Sequence, residues 1–205
     1  MARLLVPTVL RPFGEHLAAI VAPQPGDVCV DLGGDEGVMA AMLARAAGVC
    51  HALADSLGNG GAQVVTSLFA LADEPDPAAT LREMLRVLDP QRGRLGVALW
   101  SEPGAVPHLD ALTPCAPRAV AAATRFGFPL AAERLVEAAG GAGRVRIARI
   151  HDVVRFDGVA HWWAALGGDA GDTRRAEGES RLASFAAADG TLRLPTEAVL
   201  LTTER

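Results

Sequence analysis

The apolar positions change period along the chain. Val28–Leu32 is apolar at every position except Asp31, as a strand buried on both faces reads. Glycines at 33, 34 and 37 then make a tight turn. Val38, Met39, Met42 and Leu43 follow at helical spacing until Gly48 stops the pattern. Gln63–Phe69 is a second strand. Asp76 is placed to cap, and Pro77 to begin, a helix to about Leu88 with Leu81, Met84, Leu85 and Leu88 on one stripe. Asp89–Gly93 turns into a third strand, Arg94–Trp100. Upstream, Phe13–Val21 reads as a helix with Phe13, Leu17 and Ile20 on one side, stopped by Pro23-Gln-Pro-Gly26. Pro7 and Pro12 mark residues 1–12 as an irregular arm.

Beyond Trp100 the pattern loosens. Arg118–Arg125 and Ala131–Ala139 read as helices. Residues 143–154 alternate as an exposed edge strand does, with Val145, Ile147 and Ile150 against Arg144, Arg146 and Arg149. Phe156–Leu166 reads as a helix, Gly167–Glu179 as polar loop, and residues 180–188 as a last short helix. Asp189-Gly190 is a hairpin-type turn. Leu192–Thr203 closes the chain as a strand in which Pro195 implies an edge or a bulge. Helices between early parallel strands, then a late antiparallel pair, predict an α/β fold with a mixed, mostly parallel sheet.

Composition narrows the function class. At 205 residues, half of them apolar, the chain suits one folded domain. A net charge of −5 and the absence of lysine leave no basic stripe for nucleic acid. No apolar run is long enough to span a membrane, and no secretory signal is readable. Cys29, Cys50 and Cys115 are odd in number and widely spaced, which makes neither a zinc pattern nor a disulfide framework. The expected setting is a reducing cytoplasm.

The chemistry-bearing candidates are few. Strand, glycine turn and helix opening at 28–38 form a nucleotide-type binding corner. Asp31 at the strand's end reads either as a ligand carboxylate or as a hydrogen-bonded brace for the glycine loop. His16, His51, His108, His151 and His161 have no metal-ligand or triad spacing, and no metal cluster is readable. His108, just past the third strand, is the one candidate general base; its alternative is a structural role. His161-Trp162-Trp163 reads as helix packing that also shapes an apolar pocket.

Three blocks carry a family resemblance. Gln24–Gly37 looks like the first motif of the class I S-adenosylmethionine (SAM) methyltransferases. Residues 62–70, 74–88 and 92–100 are similar to the fourth strand, following helix and fifth strand of that family. Residues 189–203 resemble the end of many type-11 members, the group that includes quinone-biosynthesis C-methyltransferases. The resemblance implies a Rossmann-like class I methyltransferase sheet in one domain, 1–205, with 102–130 and 156–188 as insertions on the substrate side. It implies SAM held by Asp31, Gly33, Gly34, Asp35, Gly37, Asp55, Ser67 and Leu68, with His108 on the substrate side. Methyl transfer to a small apolar or aromatic metabolite is the implied activity.

Two departures qualify it. Relatives place a second strand, a helix, a third strand and an acidic loop between the first helix and the fourth strand; here only residues 48–62 cover that distance. A second strand at Val49–Ala54, with Asp55 as ribose carboxylate, would leave seven residues reaching at most about 23–25 Å for the return. A direct link from the helix end is the easier path, so the sheet is expected to be truncated on one side. Its bare edge would need a loop, a helix or a second subunit, as homodimer or partner, to cover it. The other departure is Asp35, where relatives have glycine. It places a like charge against SAM's own carboxylate, and it sits where a helix N-cap belongs. Two readings follow: a SAM-dependent methyltransferase, or a methyltransferase fold that has lost SAM and serves as a small-molecule-binding protein or a partner subunit.

Overall fold

The computed structural model describes residues 7–33, 37–53, 57–167 and 172–203. Six strands form one sheet in the order β2-β1-β3-β4-β6-β5. They are β1 (Cys29–Asp31), β2 (Cys50–Ala52), β3 (Val64–Leu68), β4 (Arg94–Trp100), β5 (Val145–Phe156) and β6 (Leu192–Thr203). The first four run parallel; β6 is antiparallel to both β4 and β5. The expected mixed, mostly parallel sheet with a late antiparallel pair is therefore present.

The alternation of side chains along β3, β4 and β6 divides the core into two layers. Val64, Leu68, Ala98, Trp100, Leu194 and Leu200 face one cluster, joined by α1 (Pro7–Val21) and α2 (Val38–Ala47). Val65, Leu95, Val97, Leu99 and Leu201 face the other, joined by α3 (Pro77–Val87) and α6 (Ala131–Ala138). Gly96 lets α1 settle on β4, since a Cβ there would meet Val21 at 2.6 Å. The start of α3 is as expected: Asp76 Oδ1 accepts the N–H of Ala79 at 2.9 Å and Pro77 opens the helix. Asp76→Ala should cost about 1 kcal/mol in a urea melt, the ordinary value of an N-cap.

Five expectations are corrected. The direct link past β1 is not taken: β2 exists and pairs in parallel with β1, Cys29 opposite Cys50 and Asp31 opposite Ala52. The strand is half the length considered, so the chain returns over a shorter distance through residues 53–63. Among the described residues no strand lies beyond β2, which is the sheet edge, and Val49 beside it is 58% exposed. The helix expected from Phe13 begins at Pro7. Pro7 suits a first turn, and Pro12 forfeits only one backbone bond while Val9 and Leu10 become fully buried. The polar stretch expected as loop is in part α8 (Asp172–Leu182). Its polar surface is braced by Arg175–Glu179 at 2.7 Å and Arg181–Glu177 at 3.1 Å, both one turn apart. The expected helix at 180–188 is accordingly the end of α8 and a 3₁₀ turn, Ala183–Phe185. Finally, the helix expected from Phe156 starts at Val159, because β5 runs on to Phe156. This helix, α7 (Val159–Trp162), passes into a π-helical turn, Trp163–Gly167.

Pro195 sits within β6 yet follows the expected rule. Only residues 198–202 of β6 pair with β4. Glu197 turns its carbonyl to the β4 side, toward the N–H of Ser101, so Pro195, two residues earlier, turns its nitrogen the same way. Past the end of β4 no ladder acceptor is left waiting there.

Candidate functional site

Strand order places the site. From β1 the chain passes by α2 on one face to β2. From β3 it passes by α3 on the opposite face to β4. The carboxyl end of β1, between β2 and β3, is thus the point where the winding reverses and where open α/β sheets bind ligands.

Asp31 ends β1 and is 3% exposed. Its Oδ2 accepts the N–H of Gly33 at 3.1 Å, and its Oδ1 accepts the hydroxyl of Thr66 on β3 at 2.6 Å. The carboxylate therefore braces the glycine loop against the neighbouring strand. Gly33 and Gly37 both have positive φ, 81° and 77°, and a Cβ added to either would meet no atom within 4 Å. Positive φ is what calls for glycine at both positions, and both face open space, as other turn glycines of the chain do. The N-cap of α2 is Gly37, not Asp35. Gly34, Asp35 and Asp55 lie outside the described residues.

Ser67 and Leu68 occupy the end of β3, both fully buried. The Ser67 hydroxyl oxygen accepts the N–H of Leu71, anchoring the 3₁₀ turn Ala70–Asp73. Leu68 packs toward α1 beside Gly14. The next residue, Phe69, holds φ at +64°, a conformation a bulky side chain adopts only where its surroundings hold it. Its ring lies 3.5 Å over that of Trp100, tilted by 4°. The strained residue thus couples the end of β3 to the end of β4.

His108 lies in α4 (Pro107–Asp110), fully buried, with its ring edge-on to Trp100 at 5.0 Å. Thr196 of β6 donates its one hydroxyl proton to the Leu194 carbonyl at 3.0 Å, and His108 Nδ1 stands 3.4 Å from the same oxygen. Nε2 on the other side of the ring has no hydrogen-bond partner among the described residues. Burial alone pushes the imidazole pKa down to about 3. A ring this weakly basic accepts a hydrogen bond but is a poor proton acceptor near neutrality.

The other histidines stand apart from this corner. His16 pairs with Asp152 at 2.9 Å, His161 with Asp157 at 3.3 Å, and His51 lies on β2. His151 faces Glu197 at 2.8 Å. Glu197 also accepts from Ser101 and Arg149. Burial raises the Glu197 carboxyl, but those hydrogen bonds and the neighbouring positive charge hold it below its usual value. Ser101 donates to a carboxylate, not to a histidine, so the cluster ties strands together and is no nucleophile arrangement. Sequence spacing gave no sign of it, since Ser101, Arg149 and Glu197 come from three distant segments. Among the described residues no group of metal-ligating side chains forms. Cys29 is buried, and burial, with the Asp27 charge, lifts its thiol to about 11, fitting the inert apolar role expected of it.

No family model and no curated protein matches the sequence. Solved structures do match the fold. A candidate methyltransferase from an antibiotic biosynthesis pathway of Anabaena variabilis superposes with a TM-score of 0.62 at 14% identity, over 98% of this chain and 100% of that one. A candidate methyltransferase of Bacillus halodurans gives 0.58 at 14% identity, over 92% and 96%. A geranyl diphosphate methyltransferase in complex with SAM gives 0.52 at 12% identity, over 95% and 84%.

Proposed function

From a fold shared with class I methyltransferases, we propose that the protein binds SAM at the carboxyl end of β1 and transfers its methyl group to a small, largely apolar molecule. The observation that carries this reading is the corner itself. A glycine turn with two positive-φ residues opens onto empty space, and the buried carboxylate of Asp31 braces it at the point where the sheet reverses. Asp31, Gly33 and Gly37 would hold the cofactor, joined by Gly34, Asp35 and Asp55. Ser67 and Leu68 shape the floor at the end of β3. SAM supplies an electrophilic methyl group when bound. The protein's share is to align the acceptor and exclude water, which asks little proton chemistry of the chain. His108, neutral and apolar-walled, suits holding an acceptor group better than deprotonating it.

The survival of β2 favours this reading, because in the resembled family the ribose carboxylate follows that strand in sequence, as Asp55 follows β2 here. A second reading rests on the short return through residues 53–63, which leaves no strand beyond β2 among the described residues. On that reading the fold keeps its small-molecule pocket and has lost SAM. Titration calorimetry separates the two. Micromolar binding of SAM and S-adenosylhomocysteine is expected, and no heat at millimolar ligand would leave only the second reading.

A further inference from the structure

A cleft opens at the amino ends of the parallel strands, across the sheet from the cofactor corner. The loop before β3, the end of α3, the turn into β4 and the residue before β5 enclose it. Its main lobe has a volume of about 330 Å³ and is walled by Leu85, Leu88 and Pro90, with Arg86 and Arg144 beside them. A smaller lobe of about 180 Å³ shares Leu88, Pro90 and Arg144. The backbone around it is fixed. Asp89 donates its N–H to the Ala62 carbonyl at 2.7 Å, and Gly60 to that of Arg86 at 3.0 Å. Asp89 Oδ1 accepts the N–H groups of Gln91 at 2.8 Å and Arg92 at 2.9 Å. A preformed wall spends little ordering cost on binding. The charges on the cleft do not balance. Arg86 donates to both carboxylate oxygens of Glu83, to Asn59 Oδ1 and to the Leu57 carbonyl. The Asp89 carboxylate is answered by its own turn, whose N–H groups hold its pKa below the usual value. The guanidinium of Arg144 lines both lobes and has no hydrogen-bond or ion-pair partner among the described residues.

We propose that this cleft binds a small carboxylic acid with an apolar body. The carboxylate takes the Arg144 guanidinium, whose paired N–H groups match two carboxylate oxygens. The body lies on Leu85, Leu88 and Pro90. The volume stands at the lower end of ligand clefts, which limits that body to a ring system or a short chain. A cationic ligand would meet two guanidinium groups. Inorganic phosphate would leave the apolar wall unused and would face the Asp89 carboxylate in the smaller lobe. The site does not depend on methyl transfer, because the corner at Gly33 and Gly37 lies at the opposite ends of the strands.

The test is calorimetry on the full chain with 1-naphthoate and 1-naphthalenemethanol, which share a ring system and differ in the carboxylate. 1-Naphthoate should bind about tenfold more tightly than the alcohol. Arg144 is exposed, so Arg144→Gln should fold as the wild type does and bring the two probes to equal affinity. Arg144→Lys keeps the charge but loses the planar fork, and should retain part of the preference. Equal affinities in the wild type, a preference that survives Arg144→Gln, no binding of 1-naphthoate, or its displacement by inorganic phosphate at equal concentration would overturn the proposal. SAM titrated alongside should give the same result in the wild type and in Arg144→Gln. A SAM affinity that changes with Arg144 would place the acid at the cofactor corner and overturn the proposal as well. Failure of 1-naphthoate to bind while SAM binds removes this site and leaves the methyl-transfer reading standing; the reverse leaves this site and removes that reading.

Discussion

Phe13→Ala is expected to destabilise the protein by about 3–5 kcal/mol, the range for deleting a buried aromatic side chain. Phe13 is fully buried at the middle of α1. Its ring stands edge-on to Phe69 at 5.5 Å and to Trp100 at 5.6 Å, with interplanar angles of 83° and 86°. Each such pair adds about 0.5–1.5 kcal/mol beyond the area it buries. The cavity left behind cannot readily collapse, because Phe69 and Trp100 are already stacked on each other and held by β3 and β4. Against a total of about 5–15 kcal/mol for a domain, this is a large share. The melting temperature should fall on the order of 10 °C, at about 2–4 °C per kcal/mol for a chain of this size. Phe13→Leu, which keeps most of the volume, should lose much less. A loss below about 1 kcal/mol for Phe13→Ala would mean that α1 does not hold the aromatic group in place.

The parts of this molecule readable from sequence are those where one physical signal suffices. β3, β4 and β6 each follow a glycine-bearing turn, and α3 has its acid cap and its proline at the right places. Each appears within two residues of its expected bounds. The unreadable parts depend on partners distant in sequence. Cys50-His51-Ala52 has no strand signal of its own and becomes β2 because β1 offers it an open edge. α8 lacks an apolar stripe and is held by ion pairs along its surface and by Arg181 on Asp110 at 3.2 Å. The site divides the same way. A local turn shows Asp31 as the brace of its own glycine loop, although its second partner, Thr66, comes from β3. His108 could be singled out by position, but its neighbour Thr196 comes from the last strand, and its edge-on contact with Trp100 exists only once the segment after β4 has folded back.

Lowering the pH from 7.5 to 5 is expected to remove about 2 kcal/mol of stability through His108 alone. Burial holds its folded pKa near 3, against an ordinary value of 6.5. Between those values the unfolded chain takes up a proton that the folded protein refuses, so stability falls as pH falls through this window and is intact above it. At pH 5 the gap from 6.5 amounts to about 1.5 pH units, and one unit corresponds to about 1.4 kcal/mol. Carboxylates held low in the fold act in the same direction at lower pH: Glu197, below its ordinary 4.5, stabilises above that value and loses its contribution as pH falls through it. Keeping the measurement at pH 5 and above leaves the Glu197 contribution out of the comparison, and the difference between the wild type and the variant assigns the rest to His108. Urea unfolding at both pH values should show a drop in the wild type that is about 2 kcal/mol larger than in His108→Leu, whose side chain has nothing to protonate. The variant should accordingly gain on the wild type as the solution is acidified. A drop of equal size in the wild type and in His108→Leu would show that the imidazole takes up its proton in the folded state.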